Sequence, residues 1–174
     1  MENDFKIEYK SMQPGHYEAD YRIGADFFAE FPQSEVQEGK VDVHVDFIIA
    51  PDELNFYFTV SGSVKADCDR CLESFDLPIN GDFKLNVKFG EENSDWADED
   101  EDIILSEQET SIDLKHYVYE FVSLSIPQRR VHPLDENGMS LCNPEMTAAI
   151  MHAQDFGGED DSDPRWDALR DLYN

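Results

Sequence analysis

The chain has 174 residues, of which 13 are basic and 40 acidic, for a net charge of -27. Nucleic-acid affinity rests largely on Lys and Arg neutralising phosphates, so a field this negative excludes simple coating of RNA or DNA and favours basic proteins as partners. An apolar content of 40%, with twelve Phe and seven Tyr, is too high for a wholly disordered acidic chain. The expectation is one folded domain, or one domain with a tail, since domains usually run ~100–150 residues. A core of that size needs no disulfides. No apolar run approaches the ~20 residues of a membrane span, and Met1-Glu2-Asn3-Asp4 lacks the basic start and apolar stretch of a signal peptide. Three cysteines without an export signal point to the reducing cytoplasm.

In chain order, Phe5, Ile7 and Tyr9 alternate with polar residues, the period of a half-buried strand. Pro14-Gly15 is a turn signal, and residues 16–23 read as a second strand. Phe27, Phe28 and Phe31 sit in one helical turn stopped by Pro32, and such Phe most often plug a core. The clearest element is 40–49: Val41, Val43, Val45, Phe47 and Ile49 share one face, and Lys40, Asp42, His44 and Asp46 the other. After Pro51-Asp52, Leu54, Phe56, Phe58 and Val60 repeat the alternation, which predicts an antiparallel hairpin with one wet face. Gly62 reads as a bulge before the strand continues through Val64. Residues 75–79 and 83–89 give two further runs, the second bounded by Gly81 and Gly90.

The stretch 91–109 carries ten acids and no base, so it reads as an extended surface loop, with Ile103-Ile104-Leu105 docking back as a short strand and Trp96 a lone apolar foothold. Ser111 or Asp113 is expected to cap a helix over 113–126, with Leu114, Tyr117, Val118, Phe121 and Val122 as its buried stripe and Pro127 as its end. Arg129, Arg130 and His132 follow as the concentrated positive charge of the chain. Residues 143–153 suit a short helix without a convincing stripe, and 157–162 read as an acidic linker. Asp163-Pro164 opens a last short helix over 163–173 carrying Trp166, Leu169 and Leu172. The predicted class is α+β: a mostly antiparallel sheet of about six strands with one packing helix, and an irregular acidic C-terminal tail carrying a short helix. The division is a β-rich domain over 1–132 and an extension over 133–174.

Chemistry concentrates at Cys68-Asp69-Arg70-Cys71, on a turn between two strands. Three readings are open. Cys68-x-x-Cys71 has zinc-knuckle spacing, and His132 with Cys142 would complete a Cys3His set, since a structural zinc takes four ligands. One CxxC is a weak signal where two would be strong. A redox pair would open a helix after a strand, where amides lower the thiol pKa, but the sequence after Cys71 reads as strand. The third reading is two reduced cysteines on a turn. No His-Glu-x-x-His, Gly-x-Ser-x-Gly or phosphate loop is present. His44 and His116 read as surface residues, and His132 beside Asp135 and Glu136 as a chance neighbourhood in an acid-rich chain. The expectation is no enzyme; the alternative is a zinc- or thiol-dependent enzyme or redox protein using the CxxC pair. Arg70, Arg129, Arg130, Arg165 and Trp166 are the residues expected to meet a partner.

Cys68-Asp69-Arg70-Cys71-Leu72-Glu73-Ser74-Phe75, the blocks Ile112-Asp113-Leu114, Tyr119-Glu120-Phe121 and Leu124-Ser125-Ile126-Pro127, and Asp163-Pro164-Arg165-Trp166 together resemble the YceD family of large ribosomal RNA subunit accumulation proteins. The resemblance spans roughly residues 36–172. It implies a bacterial cytoplasmic factor for ribosome assembly, without an established catalytic activity, and partners among large-subunit proteins or pre-ribosomal RNA. Many relatives carry several Cys around a Gly-Leu-Cys-Pro after the Leu-x-x-Pro block. Here that region keeps His132, Gly138 and Cys142, which alters the ligand set for any zinc.

Overall fold

The computed structural model describes residues 5–90 and 102–155. Five strands form the main sheet: β2 (Gly15–Ile23), β3 (Gly39–Ile49), β4 (Glu53–Asp67), β5 (Ser74–Phe89) and β6 (Asp102–Leu105), in the order β2-β3-β4-β5-β6. The first four are antiparallel neighbours, and β6 runs parallel to β5. A second, two-stranded sheet joins β1 (Lys6–Ile7) to β7 (Ile112–Asp113), with Ile7 opposite Ile112. Sequence alternation leaves β7 unannounced, because two residues cannot show a period and their partner lies more than a hundred residues away.

The register turns sequence alternation into rows of side chains on one face. Tyr17, Phe47, Phe56 and Leu85 stand in line across four strands, as do Ala19, Val45, Phe58 and Phe83. Val43, Val45, Leu54, Phe56, Phe58 and Val60 are at most 1% exposed. Each such side chain contributes ~1.5–3 kcal/mol of burial, an upper bound against an extended unfolded chain. Helix α2 (Lys115–Leu124) lays Val118 and Val122 into the interior, and Phe121 stacks on Phe83 while meeting Phe58 edge-on. The short helix α1 (Ala25–Phe28) buries Phe27 and Phe28, and Phe31 stacks on Tyr119 with ring centroids 4.0 Å apart. The three Phe therefore act as the plug that the sequence suggests.

Three local expectations are corrected. Gly62 is no bulge: Val41, Gly62 and Ile79 stand in unbroken register. Its φ is 151°, and a Cβ there would lie 2.2 Å from the Lys40 carbonyl oxygen, so glycine is needed for backbone approach. Gly81 ends no run but sits inside β5 opposite Val60, where a Cβ would meet the Phe83 ring and Ser125 Oγ at 2.7 Å. The N-cap of α2 is Leu114, with Asp113 Oδ1 accepting the Lys115 N–H one residue inside (2.9 Å).

The chain divides into two compact units, a larger one of Met1–Asp67 with Ser74–Arg130 and a smaller one of Cys68–Glu73 with Val131–Asn174. The smaller unit contains helix α3 (Pro144–Asp155). Trp96, the 157–162 linker and the helix expected over 163–173 lie outside the described residues.

Candidate metal centre

The smaller unit is assembled from two turns. The first is the corner between β4 and β5. Cys68 N–H donates to the Glu73 carbonyl (3.0 Å) and Leu72 N–H to the Cys68 carbonyl (2.9 Å), which closes the corner with Leu72 in the left-handed region at φ 61°. The amide of Arg70 points at Cys68 Sγ, 3.4 Å away. The second turn is a tight hairpin over 133–141. Leu134 bridges Ser140, Leu141 N–H donates to the Pro133 carbonyl, and Gly138 supplies the positive φ of 78°. The Asp135 carboxylate accepts the amides of Met139 (2.7 Å) and Asn137 (2.9 Å), which hold its pKa below the usual carboxylate range. Asp135 therefore shapes a turn.

This hairpin returns the chain so that its two flanks, His132 and Cys142, stand together although ten positions apart. Cys142 is fixed from the far side as well. Asn143 Oδ1 caps α3 by accepting the amides of Glu145 (2.9 Å) and Met146 (3.4 Å), with Pro144 at the first helical position, and Asn143 Nδ2 donates to Glu73 (2.6 Å).

The result is a cluster of Cys68, Cys71, His132 and Cys142 whose ligand atoms all lie within 4.8 Å of one another. Cys68 and Cys142 have their sulfurs 3.7 Å apart, and Cys71 Sγ is 3.4 Å from His132 Nδ1. A tetrahedral zinc with ~2.3 Å bonds to sulfur and ~2.0–2.1 Å to nitrogen has S–S edges of about 3.8 Å and S–N edges of about 3.6 Å. Those two contacts are tetrahedral edges to within a few tenths of an ångström, and 3.7 Å is far from the ~2.05 Å of a disulfide. Burial opposes ionisation of Cys68, but the amides of Cys71, Arg70 and His132 and the His132 ring outweigh it and bring the thiol down to about 6. Cys71 moves the other way, raised first by burial and then by the neighbouring sulfurs of Cys68 and Cys142. Three sulfurs and one imidazole converging on one point in the interior make a ligand set that fits zinc.

The other residues singled out in the sequence fall as follows. Arg70 is half-buried and donates to Ser140 Oγ at 3.3 Å. Arg129 is exposed, and Arg130 pairs with Glu35 at 2.6 Å in the larger unit. Arg165 and Trp166 lie outside the described residues. His116 meets Glu120 one helical turn on, at 3.2 Å. Sequence reasoning passed over a second polar cluster, on the wet face of β2 and β3. His44 Nδ1 is 2.7 Å from Asp20, and Asp46 lies within 3.4 Å of both His44 and His16. Alternation placed His44 and Asp46 on that face, but the strand register that sets Asp20 opposite His44 was needed to find the cluster.

Fold and site together define an α+β protein built on an antiparallel sheet, with a second unit whose buried side chains, among the described residues, are cysteines. The sequence model of the family described as Large ribosomal RNA subunit accumulation protein YceD matches residues 56–173. The chain belongs to that family, whose name ties it to accumulation of the large-subunit ribosomal RNA. No curated protein and no solved structure matches the chain. No helix among the described residues is long and apolar enough to cross a membrane.

Proposed function

We propose that this protein is a non-catalytic factor for ribosome assembly, supporting accumulation of the large-subunit ribosomal RNA by binding a basic ribosomal protein or the pre-ribosomal particle that carries one. The membership in the YceD family is the observation that carries this reading. The charge supports the choice of partner: at -27, the chain attracts basic proteins at long range and repels phosphate backbones. In this reading Cys68, Cys71, Cys142 and His132 hold a structural zinc ion that fixes the smaller unit. The alternative use of the CxxC pair in thiol chemistry is disfavoured by access, since Cys68 is 0% and Cys71 1% exposed. Of the two arginines that follow α2, Arg129 is the exposed one, available for an RNA contact at the edge of such a complex.

Depletion in cells tests the assembly role. Precursor of the large-subunit ribosomal RNA should accumulate and large subunits should fall in a sucrose gradient; unchanged precursor levels and subunit profiles would sink it. Elemental analysis tests the metal independently, with close to one equivalent of zinc expected per chain. A Cys68→Ser, Cys71→Ser double variant separates the readings further. If it retains full function in cells, neither zinc nor thiol chemistry matters to the role.

A further inference from the structure

Among the described residues, Leu72 is the one non-glycine residue with positive φ, at 61°. A branched side chain in that region is strained, and glycine is the residue that occupies it freely. Leu72 is also 71% exposed, more than any other large apolar side chain described. The hydrogen bond that needs this backbone, from Leu72 N–H to the Cys68 carbonyl, would be made equally well by glycine. The isobutyl group thus adds strain and an apolar exposure to the corner while contributing little to the fold. Strain that the fold does not use is characteristic of recognition sites.

Other described residues of the same unit repeat the pattern. Leu134 at 64%, Met139 at 65% and Leu141 at 55% are exposed on the 133–141 hairpin, and Met146 and Ile150 on α3. The far larger sheet unit has only Ile48, Tyr57 and Leu124 in that condition among its described residues. Interspersed with the apolar side chains of the smaller unit are Asp69, Glu73, Asp135, Glu136 and Glu145, against one arginine, Arg70, whose guanidinium is turned to Ser140. Apolar side chains on a small unit mark an interaction surface, and the flanking acids specify what approaches it.

We infer that the smaller unit carries a protein-docking surface with Leu72 as its apolar anchor, and that its occupant is a protein segment presenting apolar side chains flanked by Lys and Arg. This deepens the assembly reading above and rests on it. Nucleic acid does not fit, because the acids would face phosphates and the exposed leucines and methionines have no base-stacking geometry. Leu72 supplies the apolar anchor, and the carboxylates supply orientation and on-rate.

Leu72→Gly makes the test sharp, because fold and binding should move in opposite directions. The probes are purified large-subunit precursor particles, the mixed basic proteins stripped from them by high salt, and the stripped ribosomal RNA. Wild-type protein should bind the particles and one or more of the stripped proteins. Leu72→Gly should keep its zinc and unfold at the same or a higher temperature, yet bind at least tenfold more weakly. Leu72→Asp should also lose binding, whereas Leu124→Asp in the larger unit should not. Wild-type binding that both Leu72 variants retain in full overturns the docking surface and leaves the assembly reading intact. Binding to the stripped RNA alone overturns it as well. Wild-type protein that binds none of the three probes brings down the assembly reading itself.

Discussion

The larger unit keeps Val43, Val45, Leu54, Phe56, Phe58 and Val60 at no more than 1% exposure, whereas the buried side chains among the described residues of the smaller unit are Cys68, Cys71 and Cys142. The first interior is a conventional hydrophobic one, in which each added methylene contributes ~0.8 kcal/mol. Among its described residues the second buries almost no hydrocarbon. Units below roughly 70–80 residues rarely obtain more than ~3–5 kcal/mol from a core alone, and a metal is one of the few substitutes. On the zinc reading proposed above the two units differ in what holds them, and treatments that attack one kind of interior should spare the other.

Metal removal gives the largest expected effect. Structural zinc binding in finger peptides has apparent free energies of ~10–16 kcal/mol, and that energy is folding energy. Cys142→Ser, or a strong chelator on the wild type, should strip the zinc and abolish amide-exchange protection over 131–150. Protection in β3, β4 and β5 should stay. Retained protection of 131–150 in the metal-free protein would show that the second unit is held by something other than its sulfur cluster.

The converse substitution is Phe58→Ala, which opens a void beneath Phe121 and beside Phe56. Large-to-small changes of this kind cost ~3–5 kcal/mol. The denaturant midpoint of the sheet should drop accordingly, with zinc content still at one equivalent. Gly62→Ala should follow at ~1–3 kcal/mol, because it forces a Cβ against the Lys40 carbonyl at a backbone angle that alanine disfavours. Equal midpoints for Gly62→Ala and wild type would mean that β3 and β4 can part locally at no cost.

How much of this was legible follows from the same contrast. A period of two is written into 40–49 and 54–60, so the faces of β3 and β4 could be assigned from the chain alone, as could the stripe of α2. Gly62 could not be placed, because what crowds it comes from the neighbouring strand, and Gly81 could not either, because Ser125 crowds it together with the Phe83 ring of its own strand, and pattern reveals neither approach. In the smaller unit, Cys68, Cys71, His132 and Cys142 could be named together, since the chain has only three cysteines and His132 lies near the third. Their meeting within 4.8 Å depends on the Asp135-to-Gly138 turn and the Asn143 cap, which specify a return of the chain that no periodicity records. Leu72 carried no signal at all. Nothing in its type announces a left-handed backbone, and only the corner's hydrogen bonds reveal it.

The smallest predicted effect sharpens the comparison through its sign. His44, on the wet face of the larger unit, has its pKa raised, first by the hydrogen bond its ring N–H donates to the Asp20 carboxylate and then, against some desolvation, by the charges of Asp20, Asp46 and Glu18. A raised folded pKa contributes stability that is fully present below the unfolded value of ~6.5 and disappears as pH rises through the folded one. Cys68 in the metal-free smaller unit is the opposite case. Its depressed value, about 6, contributes stability that is present above the unfolded thiol value of ~8.5 and is lost as pH falls through the folded value. The raised Cys71 opposes it only on the alkaline side, above the ordinary thiol range. Between pH 8 and pH 5 the two units should therefore respond in opposite senses, the sulfur unit loosening while the His44–Asp20 pair tightens. The His44 effect is worth only ~0–1 kcal/mol, because the pair is exposed. Asp20→Asn should lower the His44 titration midpoint followed by NMR and leave amide protection over 131–150 unchanged at every pH. If instead acidification loosens both units together, the difference between their interiors does not extend to their electrostatics, and the acid sensitivity belongs to the chain's large negative charge as a whole.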